Sequence, residues 1–150
     1  MGLDIDEILK VPMKEIEQND LKRLKELGII SENIYLSDTP QQPGKHYWVK
    51  KCEYDGQPFF IFNYFSFSSD PSLKNHIDLE KYLQSDEPNI ILQNCNIENQ
   101  KYIKGLSKIK QAIVATNSEF PNVSSCEFAK EVYVEGYACF HSCKFYGDFT

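Results

Sequence analysis

Two β-prone runs, at 47–54 and 59–67, flank the dipeptide Asp55-Gly56. Asp-Gly between such runs is a strong signal for a tight β-hairpin, because the turn needs two residues that accept a positive φ angle. In the second run, aromatic and aliphatic side chains occupy both sets of alternating positions, which predicts a strand covered on both faces. The sequence therefore predicts a hairpin over residues 47–67, and the other elements must be arranged around it.

The first thirty residues predict helices. Asp4 can cap a short helix that ends near Leu9, and Pro12 suits the first position of a second helix. The apolar residues that follow Pro12 recur at spacings of three to five, which gives one apolar stripe. Gly28 suits the position directly after a helix. We expect one helix or a helical pair in this region.

The second half of the chain contains three similar β-prone segments that form an approximate repeat, here called the echo. Their starts lie 23 and 20 residues apart, and each segment ends in a bulky apolar residue. The segments are Ile90–Ile97, Ile113–Phe120 and Tyr133–Phe140. The first one fits the strand part of a leucine-rich repeat, while the other two fit that pattern poorly.

These elements predict one α+β domain spanning residues 1–150. In this fold, N-terminal helices pack on a mixed or antiparallel sheet that contains the 47–67 hairpin. Further strands of the sheet are expected near 90–97, 112–120 and 132–146. Residues 38–44 predict a loop, and Asp70-Pro71-Ser72 predicts the start of a short helix. The echo leaves a second arrangement open, in which the C-terminal half is a short parallel β-solenoid or leucine-rich-like.

Charge and cysteine content narrow the partners and the compartment. The net charge is −6 and is divided evenly between the two halves of the chain, so no basic tail is available to neutralise phosphates. This disfavours nucleic acids and anionic membranes as partners. The sequence has no 18-residue apolar stretch and begins without the apolar run of a signal peptide. Five cysteines, an odd number, suit reduced thiols, and we expect a cytoplasmic protein.

One cluster carries the residue types of a metal or thiol site. Cys139, His141 and Cys143 follow one another at alternate positions, with Cys126 upstream, and three thiols with an imidazole could bind zinc. On a straight strand, however, residues 139 and 143 are about 13 Å apart, so three ligands meet only if the chain turns at Ser142. We therefore predict no metal, no cofactor and no catalytic residues, and we interpret the cysteines as small buried side chains.

The remaining signal is aromatic content. Ten Phe, nine Tyr and one Trp make up 13% of the chain, which is more ring volume than a small core buries completely. Tyrosine and tryptophan are enriched where proteins bind one another. The predicted binding residues are Tyr47, Trp48, Tyr54, Tyr137 and Tyr146.

Together these features favour a non-enzymatic protein-binding domain that acts sterically on a protein partner, as an inhibitor, an immunity-type protein or a chaperone-like protein does. The alternative is a small enzyme with a site built on Cys139 and His141, in which the thiol needs the imidazole within hydrogen-bonding distance. The sequence leaves the identity of the partner and the oligomeric state open.

Overall fold

The computed structural model describes residues 3–34 and 46–150, so the predicted loop at 38–44 lies outside the described residues. The helices are α1 (Ile5–Ile8), α2 (Gln18–Glu26) and α3 (Leu79–Gln84). The strands are β1 (Lys14–Glu15), β2 (Trp48–Tyr54), β3 (Gln57–Asn63), β4 (Ser66–Phe67), β5 (His76–Ile77), β6 (Asn89–Gln93), β7 (Asn96–Ile97), β8 (Tyr102–Lys104), β9 (Ile113–Thr116), β10 (Asn122–Ser124), β11 (Glu127–Phe128), β12 (Val132–Val134), β13 (Phe140–His141) and β14 (Lys144–Phe145).

The main sheet is mixed, and its strand order is β1-β2-β3-β6-β9-β12. The first three strands are antiparallel neighbours, with Asp55 and Gly56 between β2 and β3. Both turn residues have positive φ, 54° and 74°, as a tight hairpin turn requires. From β3 onward, β6, β9 and β12 are added in parallel. The chain thus combines helices with a mixed sheet, as the sequence predicts.

Parallel strands need a connection that brings the chain back to the starting end of the next strand. Here the chain makes this connection by winding in successive turns, which we call coils, and each coil contributes one strand to the parallel part of the main sheet. Between main-sheet strands it passes through smaller parallel sheets with orders β5-β4-β7, β8-β10-β13 and β11-β14. In the main sheet, Ile90 lies beside Ile113, which lies beside Val132. The third segment of the predicted echo therefore starts at Val132 and not at Tyr133. A slip of one residue exchanges the two faces of a strand, so Val132 points inward and Tyr133 outward.

Both faces of the main sheet are covered. Phe60 and Phe62 belong to an apolar cluster enclosed by the coils, here called the inner core. Phe59 and Ile61, the alternate residues of β3, belong to a second cluster, the outer core, where Ile8 of α1 packs against the sheet. All four β3 residues are buried, which explains why this strand is apolar at nearly every position.

The coils turn at corners that share one short pattern. A residue with a positive φ, between 47° and 57°, is followed by an inward side chain, then any residue, then an inward Phe or Ile. Only a few residue types accept this left-handed conformation at low cost. Within the described residues, five corners follow this pattern: Tyr64-Phe65-Ser66-Phe67, Asn94-Cys95-Asn96-Ile97, Asn117-Ser118-Glu119-Phe120, Ser125-Cys126-Glu127-Phe128 and Ser142-Cys143-Lys144-Phe145.

Three of the cysteines occupy the inward corner position, where their thiols bridge backbone carbonyls. Each thiol lies near the carbonyl two residues earlier and near a carbonyl of the preceding coil. The S···O distances to the residue two earlier are 3.4 Å for Cys95, 3.3 Å for Cys126 and 3.6 Å for Cys143. Thiols are weak donors of small volume, so these cysteines have a structural role at the corners.

Two helix predictions need correction. Pro12 does not begin a helix, because Lys14 and Glu15 pair with Lys51 and Lys50 as strand β1, and α2 begins only at Gln18. This long-range pairing overrides the helical spacing of the apolar residues. Gly28 follows α2 with a φ of 74°, as predicted.

The predicted start of a short helix at Asp70-Pro71-Ser72 is also wrong. Asp70 there closes a local turn by accepting from the amide of Ser72, and short polar side chains favour such turns. The helix that follows is α3, and its N-cap is Asp78, which accepts from the amide of Lys81 at 3.1 Å.

The coil stack is covered on its N-terminal side. The amphipathic helix α2 and the residues after it bury Leu24, Ile29 and Ile30 in the inner core, and Ile30 forms an antiparallel bridge with Ile77 of β5. Arg23 of α2 holds this cover through a bidentate ion pair with the buried Glu87 carboxylate, at 2.7 and 2.8 Å. The hydrogen bonds to Glu87 raise the pKa of Arg23.

We predict that Phe62→Ala lowers the free energy of unfolding by about 3–5 kcal/mol, because Phe62 is fully buried and meets Phe65 and Tyr82 edge to face. Equilibrium urea denaturation measures this change. Tyr102→Ala is the control, since Tyr102 is 61% exposed, and it should change stability by less than about 0.5 kcal/mol. A loss below about 1 kcal/mol for Phe62→Ala would show that this ring is not core.

Candidate functional site

The last coil consists of β12, β13, β14 and residues 147–150. The sequence predicted a strand over 132–146, but the structure divides this region, because Ser142 has a φ of 54° and turns the chain between β13 and β14. After β14 the chain returns to the main sheet, where Phe149 forms a parallel bridge with Val132. The coil therefore closes on itself and begins a further level at its final residues.

A glycine allows this return. A Cβ atom on Gly147 would lie 2.5 Å from the carbonyl carbon of Lys130 and 2.6 Å from the amide nitrogen of Glu131, distances that real side chains do not reach. The close approach lets the amide of Val132 donate to Asp148 at 2.8 Å and the amide of Val134 donate to Thr150 at 2.9 Å. These bonds place the Phe149 ring over the end of the inner core.

Four phenylalanines form a stack of rings at this end. Phe149 lies edge-on to Phe145 with centroids 4.2 Å apart and to Phe140 with centroids 5.0 Å apart. Phe145 in turn stacks on Phe128 of the preceding corner at 5.1 Å. Such aromatic pairs contribute roughly 0.5–1.5 kcal/mol each beyond area burial. The stack continues the inner core outward through the last coil.

Burial decreases sharply along this stack. Phe128, in the preceding coil, is 0% exposed, whereas Phe149 is 45% exposed. Phe140, Cys143 and Phe145 are only partly buried, although they occupy inward positions of their coil. The apolar interior of the stack therefore reaches solvent at the last coil.

The backbone of the last coil is open on the same side. The carbonyls of Cys139 and His141 accept hydrogen bonds from the preceding coil, so the amide and carbonyl of Phe140 between them face away from it. Phe145 lies between two residues whose amides donate hydrogen bonds to the preceding coil. The amide and carbonyl of Phe145 therefore also face away from that coil. Within the described residues, no strand pairs with this side of β13 or β14.

We call this surface the open face: the rings of Phe140, Phe145 and Phe149 with the unpaired backbone beside them. It differs from the N-terminal side of the stack, which α2 covers. Stacked repeats need terminal covers with a polar outer side, and in the described part of the chain the open face has none. The open face thus combines partly buried apolar rings with an unpaired strand edge.

The predicted binding residues separate into two groups. Tyr137 and Tyr146 belong to the last coil and are 71% and 69% exposed. The hydroxyl of Tyr146 reaches back toward the Glu127 carboxylate at 3.5 Å.

The other predicted binding residues lie elsewhere and are partly buried. Tyr47 packs against the inner core, with its ring 6.0 Å from that of Phe65. Trp48 and Tyr54 pack against the outer core, and the ammonium group of Lys50 lies 4.9 Å above the Trp48 ring. The structure does not place these three side chains on the last coil.

The structure separates the residues of the possible metal or thiol site. Cys143 is a corner residue, while Cys139 and His141 are exposed. Among the described side chains, no hydrogen bond joins Cys139 to His141, and no three His, Cys, Asp or Glu residues are grouped so that they could hold a metal ion. The turn at Ser142 does exist, but it directs Cys143 toward the core and not toward Cys139.

A groove of about 510 Å³ lies beside β1 and β2 and contains one further thiol, that of Cys52. Burial raises the pKa of Cys52, which keeps the thiol protonated and makes it a poor nucleophile. Prolines and aromatic rings make up much of the lining, together with Lys14, Lys51 and Glu53.

The residues that sequence reasoning missed are Phe140, Phe145 and Phe149. The repeated corner pattern could have revealed Phe145, which ends the corner Ser142-Cys143-Lys144-Phe145 and matches Phe128 in the preceding one. Phe149 is positioned by the close approach at Gly147, for which the sequence carries no pattern.

Comparison with known proteins adds no family: no family model, curated protein or solved structure matches this chain. Of the helices in residues 3–34 and 46–150, none has both the length and the apolar character needed to cross a bilayer.

We predict that iodoacetamide at pH 8 labels Cys139 first, because this thiol is exposed, and leaves Cys95 unlabelled in the folded protein. Burial raises the pKa of Cys95 to about 12, which lowers its thiolate fraction on the order of 10³-fold relative to a free cysteine at this pH. Peptide mass spectrometry at increasing labelling times measures both rates. Labelling of Cys95 as fast as Cys139, without unfolding, would contradict the corner role.

Proposed function

We propose that this chain is a non-enzymatic protein-binding domain that acts by covering a surface of a protein partner. The observation that carries the proposal is the open face, where aromatic core and unpaired backbone both reach solvent while the opposite side of the stack is covered by α2. An inhibitor, an immunity-type protein or a chaperone-like protein acts by such steric cover. We place this action in the cytoplasm.

Two contributions to binding follow from the open face. A partner that covers Phe149 and the half-buried rings beside it removes apolar surface from water, which is the main driving force of association. A partner that also offers polar backbone groups can pair with the free edge at Phe140 and Phe145. The exposed Tyr137 and Tyr146 extend the contact around the coil.

Charge favours a protein over other partners. The chain as a whole carries −6, which opposes binding to a phosphate backbone or an anionic bilayer. We therefore expect neither nucleic acid nor membrane as the partner.

The rival function, an enzyme built on Cys139 and His141, has less support. A cysteine nucleophile needs an imidazole within hydrogen-bonding distance and a pocket that excludes water, whereas both side chains are exposed. The two functions differ in what they require of the Cys139 thiol.

Photo-crosslinking tests the proposal. We expect p-benzoylphenylalanine in place of Tyr137 or Tyr146 to form a defined protein adduct on irradiation in lysate of the source organism. The matched control is the same replacement of Tyr102, an exposed tyrosine on β8, which should yield at least about fivefold less adduct if contact residues cluster at one interface. Adding Phe149→Asp should remove the adduct from both test positions. Equal adducts at all three positions, or none, would refute binding by the open face.

We also predict that Cys139→Ser leaves the yield and identity of this adduct unchanged, because steric binding does not use a thiolate. The yield is measured by quantitative blotting and the folding of the variant by its thermal midpoint. Loss of the adduct with an unchanged midpoint would favour the thiol-based alternative.

A further inference from the structure

We infer that the chain has a second binding surface, the outward side of the small sheet β8-β10-β13, and that this surface binds an extended acidic segment of a protein. The side chains that form it are different from the rings of the open face. The inference therefore goes beyond the proposed function and is tested separately from it.

Charge is distributed unevenly along the chain. Three stretches, 99–118, 120–126 and 136–147, contain five lysines and no Asp or Glu, which gives them a net charge of +5. All other residues together carry 11 basic and 22 acidic side chains, a net charge of −11. The three stretches belong to successive coils, and their strands β8, β10 and β13 pair in parallel. Strand pairing therefore brings the three acid-free stretches side by side.

The register of the small sheet aligns polar donors on its outward side. Ile103 and Val123 are buried in the inner core, so their neighbours along each strand point outward. Lys104 pairs with Ser124, and Ser124 pairs with His141. Because paired strands lie about 4.8 Å apart, this row places an ammonium group, a hydroxyl and an imidazole on three successive coils. We call this row and the two lysines described next the basic face.

Two further lysines lie past the corner that follows this row. Lys144 pairs with Glu127 across β14 and β11, and Lys108 occupies the equivalent position in the coil before Glu127. Within residues 3–34 and 46–150, Lys104, Lys108 and Lys144 form no ion pair with Glu127 or any other acid. Their charges are therefore available to an acidic ligand.

The extent of the basic face decides which anion fits it. At physiological ionic strength charges are screened over about 8 Å, so these lysines outweigh the acids elsewhere only for a ligand that stays on the face. A nucleic acid or a bilayer carries phosphates past it, toward the acid-rich remainder of the chain. An extended acidic segment presents a carboxylate about every 7 Å on one side, which confines its charge to the basic face.

An NMR titration tests the inference and locates the surface. The probe is a peptide of about twelve residues that alternates Glu and Ser, so that its carboxylates share one side when it is extended. We expect it to shift the backbone amide signals of residues 102–108, 123–126 and 140–144 in the isotope-labelled chain. Exposed ion pairs are weak, so we expect a Kd on the order of 0.1–1 mM and titrate to about 5 mM. The same peptide with Gln in place of Glu should leave these signals unshifted.

A charge reversal identifies the side chain that binds. Lys104→Glu replaces an attraction by a repulsion and should raise the Kd of the Glu peptide at least about fivefold. Lys22→Glu is the matched control, because it changes the net charge equally and its side chain on α2 is 76% exposed. The control should change the Kd less than about twofold, since screening removes distant charges. Thermal midpoints verify that both variants fold.

Three results would overturn the inference: no shifts at the end of the titration, equal shifts with the Gln peptide, or an unchanged Kd for Lys104→Glu. An RNA oligonucleotide that shifts the same signals at lower concentration than the Glu peptide would also overturn it, in favour of a nucleic acid. The photo-adducts at Tyr137 and Tyr146 test the open face independently of all these outcomes. The low yield expected at Tyr102 is unaffected, because a Kd above roughly 0.1 mM leaves the basic face almost empty in a dilute lysate.

Discussion

A parallel strand satisfies its backbone groups only through the neighbours on its two sides, so a stack of coils always has two ends that need cover. This constraint organises the whole molecule. On the N-terminal side, α2 and the strand pairing at Ile30 provide the cover, and the Arg23–Glu87 ion pair holds it in place. On the other side, Phe149 covers the last coil only in part, with 45% of its surface exposed. The candidate function follows from this difference between the ends.

The corners explain residues that otherwise suggest chemistry. Cys95, Cys126 and Cys143 repeat at equivalent corners, where their thiols bridge carbonyls of their own coil and of the preceding one. Ser118 fills the same position, and its hydroxyl donates to the carbonyl of Thr116 at 2.9 Å. A small side chain with a donor therefore fills this position at four of the five corners, and Phe65 fills it at the first. The cysteine spacing that resembles a metal or thiol site is thus a by-product of coil geometry.

Sequence reasoning succeeded where the signal is local. The turn at Asp55-Gly56, the cap at Asp4 and the glycine after α2 each depend on the conformational preferences of one or two residues. It failed where a distant partner decides: Lys14 and Glu15 are strand residues only because β2 lies beside them. The open face shows the same limit. Tyr137 and Tyr146 are exposed on the last coil, whereas Tyr47, Trp48 and Tyr54 pack against the two cores because neighbouring elements cover them.

By itself, the sequence determined the mixture of helix and sheet, the apolar character of both faces of β3 and the supply of small thiols and aromatic rings. These properties follow from composition and from alternation along a few residues. The tertiary structure alone decided that 132–146 divides at Ser142, that Val132 and not Tyr133 points inward, and that Phe149 ends over Phe140 and Phe145. Each of these outcomes depends on register between coils about twenty residues apart, and register is a property of contacts that no single segment contains.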